Sequence, residues 1–249
     1  MRRLILWSLA ILCPLAIALG IWLSPWWLLL LAPPVALALW ATLCPRCPWW
    51  GEVMCVFKSR KREALLTFDN APDEFETPIV LDLLDSTGSK ALFFFTGVKA
   101  LRHPDLVQQI VARGHGIGVH GMSYDKASAW WLPWRVRSEI DTSIAVLKQI
   151  LPAAQVQWYR SASGCCGPWL HPELKRTGLQ HMAWSANDLT ARSRDFDKIV
   201  IHLRKDIDQG AIIALHHGRT DRHGEVLTPD LVRELLLWLP GQGYGTGAE

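Results

Sequence analysis

Two hydrophobic patterns divide the chain. Residues 4–45 contain no Asp, Glu, Lys, Arg or His, whereas from Glu63 onward short apolar runs alternate with amphipathic stretches. An apolar stretch of this length is about twice the ~20 residues that one helix needs to cross a bilayer. We therefore predict a transmembrane hairpin over residues 1–50, with spans at about 4–23 and 26–44. The competing interpretation is a signal peptide, which would have a single short apolar core.

Charge sets the predicted orientation of this hairpin. Arg2, Arg3 and Arg46 carry the whole formal net charge of +3, and residues 51–249 are balanced. Because basic residues stay on the cytoplasmic side of membrane helices, the main domain is predicted to be cytoplasmic. Residues 51–62 are then a basic juxtamembrane linker, and membrane lipid is an expected partner. A balanced domain without a basic stripe argues against nucleic-acid binding.

The alternating pattern predicts a domain of strands and helices over residues 63–249. The predicted strands are 64–68, 91–96, 116–120, 156–159, 181–184 and 211–216. The predicted helices are 77–86, 103–112, 135–151, 168–176, 196–208 and 228–239. Strands that alternate with helices indicate a mostly parallel sheet, and six or seven repeats are typical of a barrel-like α/β fold.

Polar residues follow the predicted strands at the end where barrel enzymes build their sites. In chain order they are Asp69 and Asn70, His120, Arg160, Trp184 and Asp188, and His216 and His217. A single histidine at a strand end is more often a structural, hydrogen-bonded residue. The whole set at one edge favours metal-assisted or acid–base hydrolysis.

Five segments carry a resemblance to a known family: LTFDNAPD, RGHGIGVHGMSYD, YRSASG, AWSAND and IIALHHG. In order and spacing they resemble the motifs of the polysaccharide deacetylase family, also called the NodB homology domain or carbohydrate esterase family four. The resemblance implies a distorted (β/α)7 barrel and a hydrolase that removes the acetyl group from N-acetylated sugars. It also implies a divalent metal, Zn, Co or Ni, as cofactor. With the hairpin, it predicts a two-span protein of the bacterial inner membrane.

The proton-transfer residues of the family match positions in this chain. The resemblance implies that Asp69 is the catalytic base, that His216 is the proton donor, and that Arg160 orients the base. All three residue types are retained. The sequence therefore predicts an intact acid–base set.

The metal-ligand positions match less well. The resemblance implies ligands at Asn70, His120 and Tyr124, where the family has Asp, His and His. A neutral amide binds zinc less well than a carboxylate, and a phenol with a pKa of ~10 is a poor ligand at neutral pH. The metal set is therefore reduced to His120, unless a thiolate of Cys165 or Cys166 joins it.

The remaining motif residues have no catalytic assignment. Trp184, Asp188 and His217 are expected to line a substrate groove. Cys44 and Cys47 have the spacing of a metal knuckle or redox pair, but no second such pair exists. We interpret them as structural residues.

The sequence leaves three functions open. The first is a membrane-bound de-N-acylase acting on an N-acetylated sugar, polysaccharide or lipid-linked sugar, with a weakened or rebuilt metal site. The second is an inactive protein that keeps the groove and binds glycan or glycolipid, with no metal. The third is a membrane scaffold.

Overall fold

The structure is a computed structural model that describes residues 14, 15, 17, 18, 26, 29, 31–189 and 191–247. Its first complete element is helix α1, Ala32–Leu43. The domain that follows alternates strands with helices, as the hydrophobic pattern predicts. Its helices are α2 (Glu76–Ser86), α3 (Gly97–Arg102), α4 (Pro104–Ala112), α5 (Pro133–Ile150), α6 (Leu170–Thr177), α7 (Phe196–Lys205) and α8 (Thr228–Gly241). Short 3-10 turns at Lys126–Trp130 and Ala162–Gly164 precede α5 and α6.

The strands form one parallel sheet. They are β1 (Glu63–Ala71), β2 (Ala91–Phe95), β3 (Gly116–Val119), β4 (Trp158–Tyr159), β5 (Gln180–His181), β6 (Ala186–Asn187), β7 (Ala211–His216) and β8 (Gly245–Thr246). The order across the sheet is β5-β4-β3-β2-β1-β7-β6, and β8 pairs with the start of β1. In the part of the chain that is described, β5 and β6 end the path without pairing to each other. The predicted distorted barrel is therefore a curled, open half-barrel.

Strand alternation separates two apolar layers. Leu66 and Phe68 point to the outer face, where the helices cover a large core of aliphatic and phenylalanine side chains. Leu65 belongs to a smaller inner cluster with Leu92, Phe94, Met182, Ala183, Trp184, Ile212 and Ala214. Because side chains two residues apart share a face, Asp69 and His216 continue the inner face at the ends of β1 and β7.

The chain between α1 and β1 packs against the domain. Val53, Met54, Cys55 and Phe57 cover the inner cluster, and Met54 forms a parallel bridge with Met182 beside β5. The predicted linker at residues 51–62 therefore contributes apolar side chains to the inner layer. The domain boundaries themselves stay a prediction.

The predicted membrane hairpin requires correction. Its second span, predicted at about 26–44, coincides with α1, a helix of 12 residues that begins with a proline in its first turn and ends before Cys44. At 1.5 Å per residue this helix is ~18 Å long, against ~30 Å for a bilayer core. Among the residues described, no helix combines the length and apolar character needed to cross a membrane. The first predicted span, at about 4–23, lies mostly outside the described residues. The predicted two-span inner-membrane localisation is therefore wrong. The predicted cytoplasmic orientation of the main domain, which was derived from that hairpin, loses its basis.

Candidate active site

The candidate site lies on the inner face at the carboxyl ends of the strands. The register of β1 and β7 places Asp69 directly beside His216. His120 follows β3, Arg160 follows β4, and Asp188 follows β6, each one residue beyond its strand. The parallel sheet therefore gathers these five residues, all buried, at one edge.

Arg160 holds the centre of this edge together. It is fully buried, and its Nη1 donates to Thr67 Oγ1 and to Asp69 Oδ1, each over 2.7 Å. Its Nε donates to the Met182 carbonyl over 3.3 Å, and its Nη2 to the Ala183 carbonyl over 2.9 Å. A guanidinium bonded along both edges has little freedom to move, so Arg160 is a rigid support for Asp69.

Asp69 is held as a carboxylate. Burial raises its pKa, but the charge of Arg160, helped by His120, His216 and the Arg160 hydrogen bond, outweighs burial and leaves the pKa below its ordinary value. Asp69 Oδ2 lies 3.5 Å from His216 Nε2. At neutral pH this oxygen can accept a proton from a group that enters between the two side chains.

His216 lies between two carboxylates. Its Nδ1 donates to Asp188 Oδ1 over 2.7 Å, and its backbone N–H donates to Asp188 Oδ2 over 3.3 Å. Burial lowers the pKa of His216, but Asp188 and then Asp69 raise it, and the net pKa is above the ordinary value. Arg219 Nη1, 3.3 Å from Asp188 Oδ2, keeps that second carboxylate paired. His216 therefore keeps its proton to a higher pH than an ordinary histidine does, and its Nε2 faces Asp69.

His120 has one engaged and one unengaged ring nitrogen. Its Nδ1 donates to the Arg160 carbonyl over 2.8 Å. Its Nε2 is buried without a hydrogen-bond partner among the described residues. Burial lowers the pKa of His120, so the ring is neutral near pH 7. A neutral imidazole anchored through Nδ1–H to a carbonyl is how proteins orient a histidine for metal binding through Nε2.

Asn70 and Tyr124, the other two predicted ligand positions, differ from each other. Asn70 has a φ of 60°, a left-handed conformation that asparagine tolerates, and its Oδ1 is buried without a hydrogen-bond partner in the described part of the chain. The Tyr124 ring lies 5.4 Å from the His120 ring, but its hydroxyl is 3.0 Å from Ser163 Oγ. Burial raises the pKa of Tyr124, so its oxygen stays a neutral phenol.

These contacts test whether the residues fit a divalent metal. His120 Nε2 and Asn70 Oδ1 are both buried polar atoms with no protein partner among the residues described, which is the state expected of ligand atoms. An imidazole nitrogen and an amide oxygen are donor types that zinc, cobalt and nickel ions accept. Neither carries a negative charge and Tyr124 is engaged by Ser163, so we expect weak binding.

The chain matches the family model of polysaccharide deacetylase over residues 58–182. The chain belongs to the polysaccharide deacetylase family. It is 31% identical over 160 residues to a chitooligosaccharide deacetylase of Bradyrhizobium sp. (strain ANU 289), which covers 64% of this chain and 73% of the relative. It is 31% identical over 201 residues to a peptidoglycan-N-acetylglucosamine deacetylase of Bacillus cereus. This alignment covers 78% of this chain and 89% of the relative. Deacetylases of this family are hydrolases that cleave a C–N amide bond.

Solved structures share the fold. A CE4 family pseudoenzyme from Bacillus anthracis superposes with a TM-score of 0.70 at 17% identity. The superposition covers 79% of this chain and 66% of the pseudoenzyme chain. At this identity the likeness concerns the fold alone. The curled half-barrel is thus the fold of polysaccharide deacetylases.

Two of the residues that the sequence predicts to line a substrate groove, His217 and Asp188, are buried in the structure. His217 lies on the outer face because it follows His216 directly, and its ring stacks on Phe68 at 5.5 Å while its Nδ1 lies 3.3 Å from Glu76. Asp188 is fully buried, and its Oδ1 accepts a hydrogen bond from His216 Nδ1. The sequence placed Asp188 after a strand but did not pair it with His216, because only the fold shows that β6 lies beside β7. The signal was an acidic residue directly after a strand that neighbours β7.

The third groove residue, Trp184, is also covered. It is 8% exposed. Gly164 lies against both Trp184 and Pro45, because a methyl group at this glycine would collide with both side chains. Arg46, next to Pro45, donates to the Ser185 carbonyl. The segment 44–47 therefore crosses the side of the site that contains Trp184.

The structure does not place the two adjacent cysteines as the sequence allowed. Cys165 has a raised pKa because it is buried, so it is a protonated thiol near pH 7. Cys166 is grouped with His171 and His181 instead of His120.

Proposed function

We propose that this protein is a de-N-acylase that hydrolyses the acetamide group of an N-acetylated oligosaccharide or polysaccharide. One observation carries the proposal: the Asp69 carboxylate, whose pKa is lowered, and the His216 imidazole, whose pKa is raised, face each other across 3.5 Å at the carboxyl edge of the sheet. Hydrolysis of an amide needs such a pair, because water must lose a proton and the leaving amine must gain one. The named activities of the two relatives supply the substrate class.

The residues divide the reaction between them. Asp69 takes a proton from water as the water oxygen attacks the acetamide carbonyl. His216 then donates its Nε2 proton to the amide nitrogen as the C–N bond breaks, which gives acetate and a free amino sugar. Arg160 fixes the position of Asp69, and Asp188 holds the His216 ring through Nδ1.

The metal would be held by His120 Nε2 and Asn70 Oδ1. When bound, a divalent metal polarises the carbonyl and lowers the pKa of water to ~7. His120 prepares this position through its hydrogen bond to the Arg160 carbonyl, which leaves Nε2 unprotonated. We propose Zn, Co or Ni because an imidazole nitrogen and an amide oxygen suit these ions.

The test is acetate release by the full-length protein from N-acetylglucosamine oligomers, with zinc or cobalt added. We expect acetate and free amine in equal amounts, and loss of both in Asp69→Asn and in His216→Asn. Asp125→Asn is a matched carboxylate control, because Asp125 caps the 3-10 turn at Lys126–Trp130 and lies outside the acid–base set. Activity that persists in Asp69→Asn would remove the assigned base. The same assay with a lipid-linked sugar compares the two substrate forms.

A second candidate function is glycan binding without turnover. It is favoured by the ligand set, in which Asn70 is neutral and the Tyr124 hydroxyl is engaged by Ser163. Calorimetric titration with N-acetylglucosamine oligomers distinguishes the two functions. Binding by the wild type without acetate release at any metal concentration would support this candidate, and acetate release would exclude it.

A further inference from the structure

A second group of metal-ligating side chains lies outside the acid–base set. It consists of Cys166 after the second 3-10 turn, His171 in α6 and His181 in β5. One candidate ligand atom from each residue lies within 4.8 Å of the other two. The three residues lie close together in the sequence but belong to a loop, a helix and a strand, and the fold brings their side chains together.

His181 provides the clearest evidence for a ligand. The residue is 3% exposed, and its Nε2 lies 3.1 Å from Ser161 Oγ. Its Nδ1 is buried with no hydrogen-bond partner among the residues described. An unpaired buried ring nitrogen is costly unless something binds it. Burial, with smaller effects from His171 and Arg160, lowers the pKa of His181 to about 3, so the ring is neutral and has a lone pair at physiological pH.

We propose that Cys166, His171 and His181 bind a zinc-class divalent metal. One thiolate and two imidazoles are the ligands that a borderline-soft ion prefers, and three protein ligands with one open position are a common zinc arrangement. Bonds of ~2.0–2.3 Å in a tetrahedron place ligand atoms about 3.3–3.8 Å apart. A side-chain movement of about 1 Å therefore closes the cluster around the ion.

A cavity of about 430 Å³ adjoins the cluster, and His171 and His181 help to line it. Glu52 lies at the same cavity. The fourth ligand is therefore a water molecule or the Glu52 carboxylate. The cavity also gives the ion a route to the site.

The surrounding backbone holds the segment before β1 over this cluster. Gly51 is so close to His171 that a methyl group at this glycine would overlap the imidazole ring. The Cys166 N–H donates to the Thr42 carbonyl over 3.0 Å, and the Met54 N–H donates to the His181 carbonyl over 2.9 Å. A metal here would fix the loop of Cys166, helix α6 and strand β5 beneath residues 42–54. One of its ligands, His181, directly precedes Met182, whose carbonyl accepts a hydrogen bond from Arg160.

Cobalt binding to the full-length protein tests the proposal. After treatment with chelator, the protein is titrated with cobalt(II) alone and its absorption spectrum is recorded. We expect one equivalent to produce a thiolate-to-cobalt charge-transfer band and the strong visible bands of a tetrahedral site. Cys166→Ser should lose the charge-transfer band, whereas Cys165→Ser, the adjacent cysteine, should retain it. His120→Ala should also retain it, because the candidate active site contributes no thiolate.

A measurement on the wild type alone keeps the test independent of variant folding. X-ray absorption of the zinc-loaded protein should show one sulfur at ~2.3 Å and two nitrogens at ~2.0–2.1 Å. A zinc shell without sulfur, or a cobalt band that survives in Cys166→Ser, would overturn the proposal. Neither readout depends on deacetylase activity, so failure of the proposed function and failure of this site are separate results.

Discussion

Asp188 Oδ1 accepts the Nδ1–H of His216 over 2.7 Å, while Nε2 of the same ring lies 3.5 Å from Asp69 Oδ2. This relationship decides the protonation of the ring. One carboxylate fixes its orientation, and both favour its charged form. The proposed acid of the reaction is thus oriented by a residue that need not touch the substrate.

The first prediction concerns the pH dependence of hydrolysis. As the pH increases, the rate should first rise when Asp69, whose pKa is lowered, loses its proton. It should then fall when His216, whose pKa is raised, loses its proton. Asp188→Asn removes the charge that raises the pKa of His216 most, so the basic limb of kcat/KM should move to lower pH by at least about one unit. The two limbs report the coupled group as a whole. The control variant Asp125→Asn should leave the basic limb unchanged. An unchanged basic limb in Asp188→Asn would refute the role of Asp188 in raising the pKa of His216.

The second prediction concerns the buried ion pair. Asp69→Ala leaves the fully buried Arg160 without its carboxylate, so the free energy of unfolding should fall by about 3–5 kcal/mol. Asp69→Asn keeps an acceptor for Nη1 and should lose less. Because the pKa of Asp69 is lower in the folded state, its contribution is present above ~pH 4 and disappears as the pH falls through the folded pKa. Urea unfolding at pH 7 and in acid checks both statements, and equal stability of Asp69→Ala and the wild type at pH 7 would contradict them.

The third prediction concerns the segment that crosses the site. Gly164 has a φ of 71°, and a methyl group there would overlap Pro45 and Trp184. Gly164→Ala should therefore destabilise the protein by about 1–2 kcal/mol for its backbone conformation and a further 1–3 kcal/mol, roughly, for the overlap.

Gly178→Ala is the matched control, because Gly178 has a similar φ of 76° and open space around it. Thermal unfolding of the two variants gives the comparison. Equal losses of stability would show that residues 44–47 do not pack on Trp184 in solution.

The fourth prediction concerns metal affinity at the candidate active site. Mutating a residue that only hydrogen-bonds to a metal ligand changes metal affinity by ~10–100-fold. Restoring two ligands directly, in the Asn70→Asp, Tyr124→His variant, should therefore strengthen metal binding by more than about 100-fold. Calorimetric titration with zinc measures this, after subtraction of the binding that survives in His120→Ala. An unchanged affinity would mean that positions 70 and 124 do not face the ion bound by His120.

The sequence predicted most of the strands and helices because each has a local signal, and the acid–base roles of Asp69, Arg160 and His216 stay a prediction. Apolar runs mark β1 and β7, and the polar residue at each carboxyl end belongs to the site. The position of His217 also depends on the strand period, because a period of two sends adjacent residues to opposite faces.

Features that depend on tertiary contacts were not predictable. The pairing of Asp188 with His216 depends on β6, a strand of two residues. The cluster of Cys166, His171 and His181 joins residues that only the fold brings together. The membrane hairpin was predicted from apolar length, but α1 spans 12 residues only and buries Ala41 and Thr42.

The central claim is that the Asp69 and His216 pair hydrolyses an acetamide with help from a weakly held metal. The most direct measurement is acetate release from N-acetylglucosamine oligomers by the wild type as the concentration of zinc or cobalt is raised. Acetate release by the wild type should rise with metal concentration and saturate, and release by the Asn70→Asp, Tyr124→His variant should saturate at a lower metal concentration. No acetate from the wild type at any metal concentration, with clear release by the double variant, would contradict it.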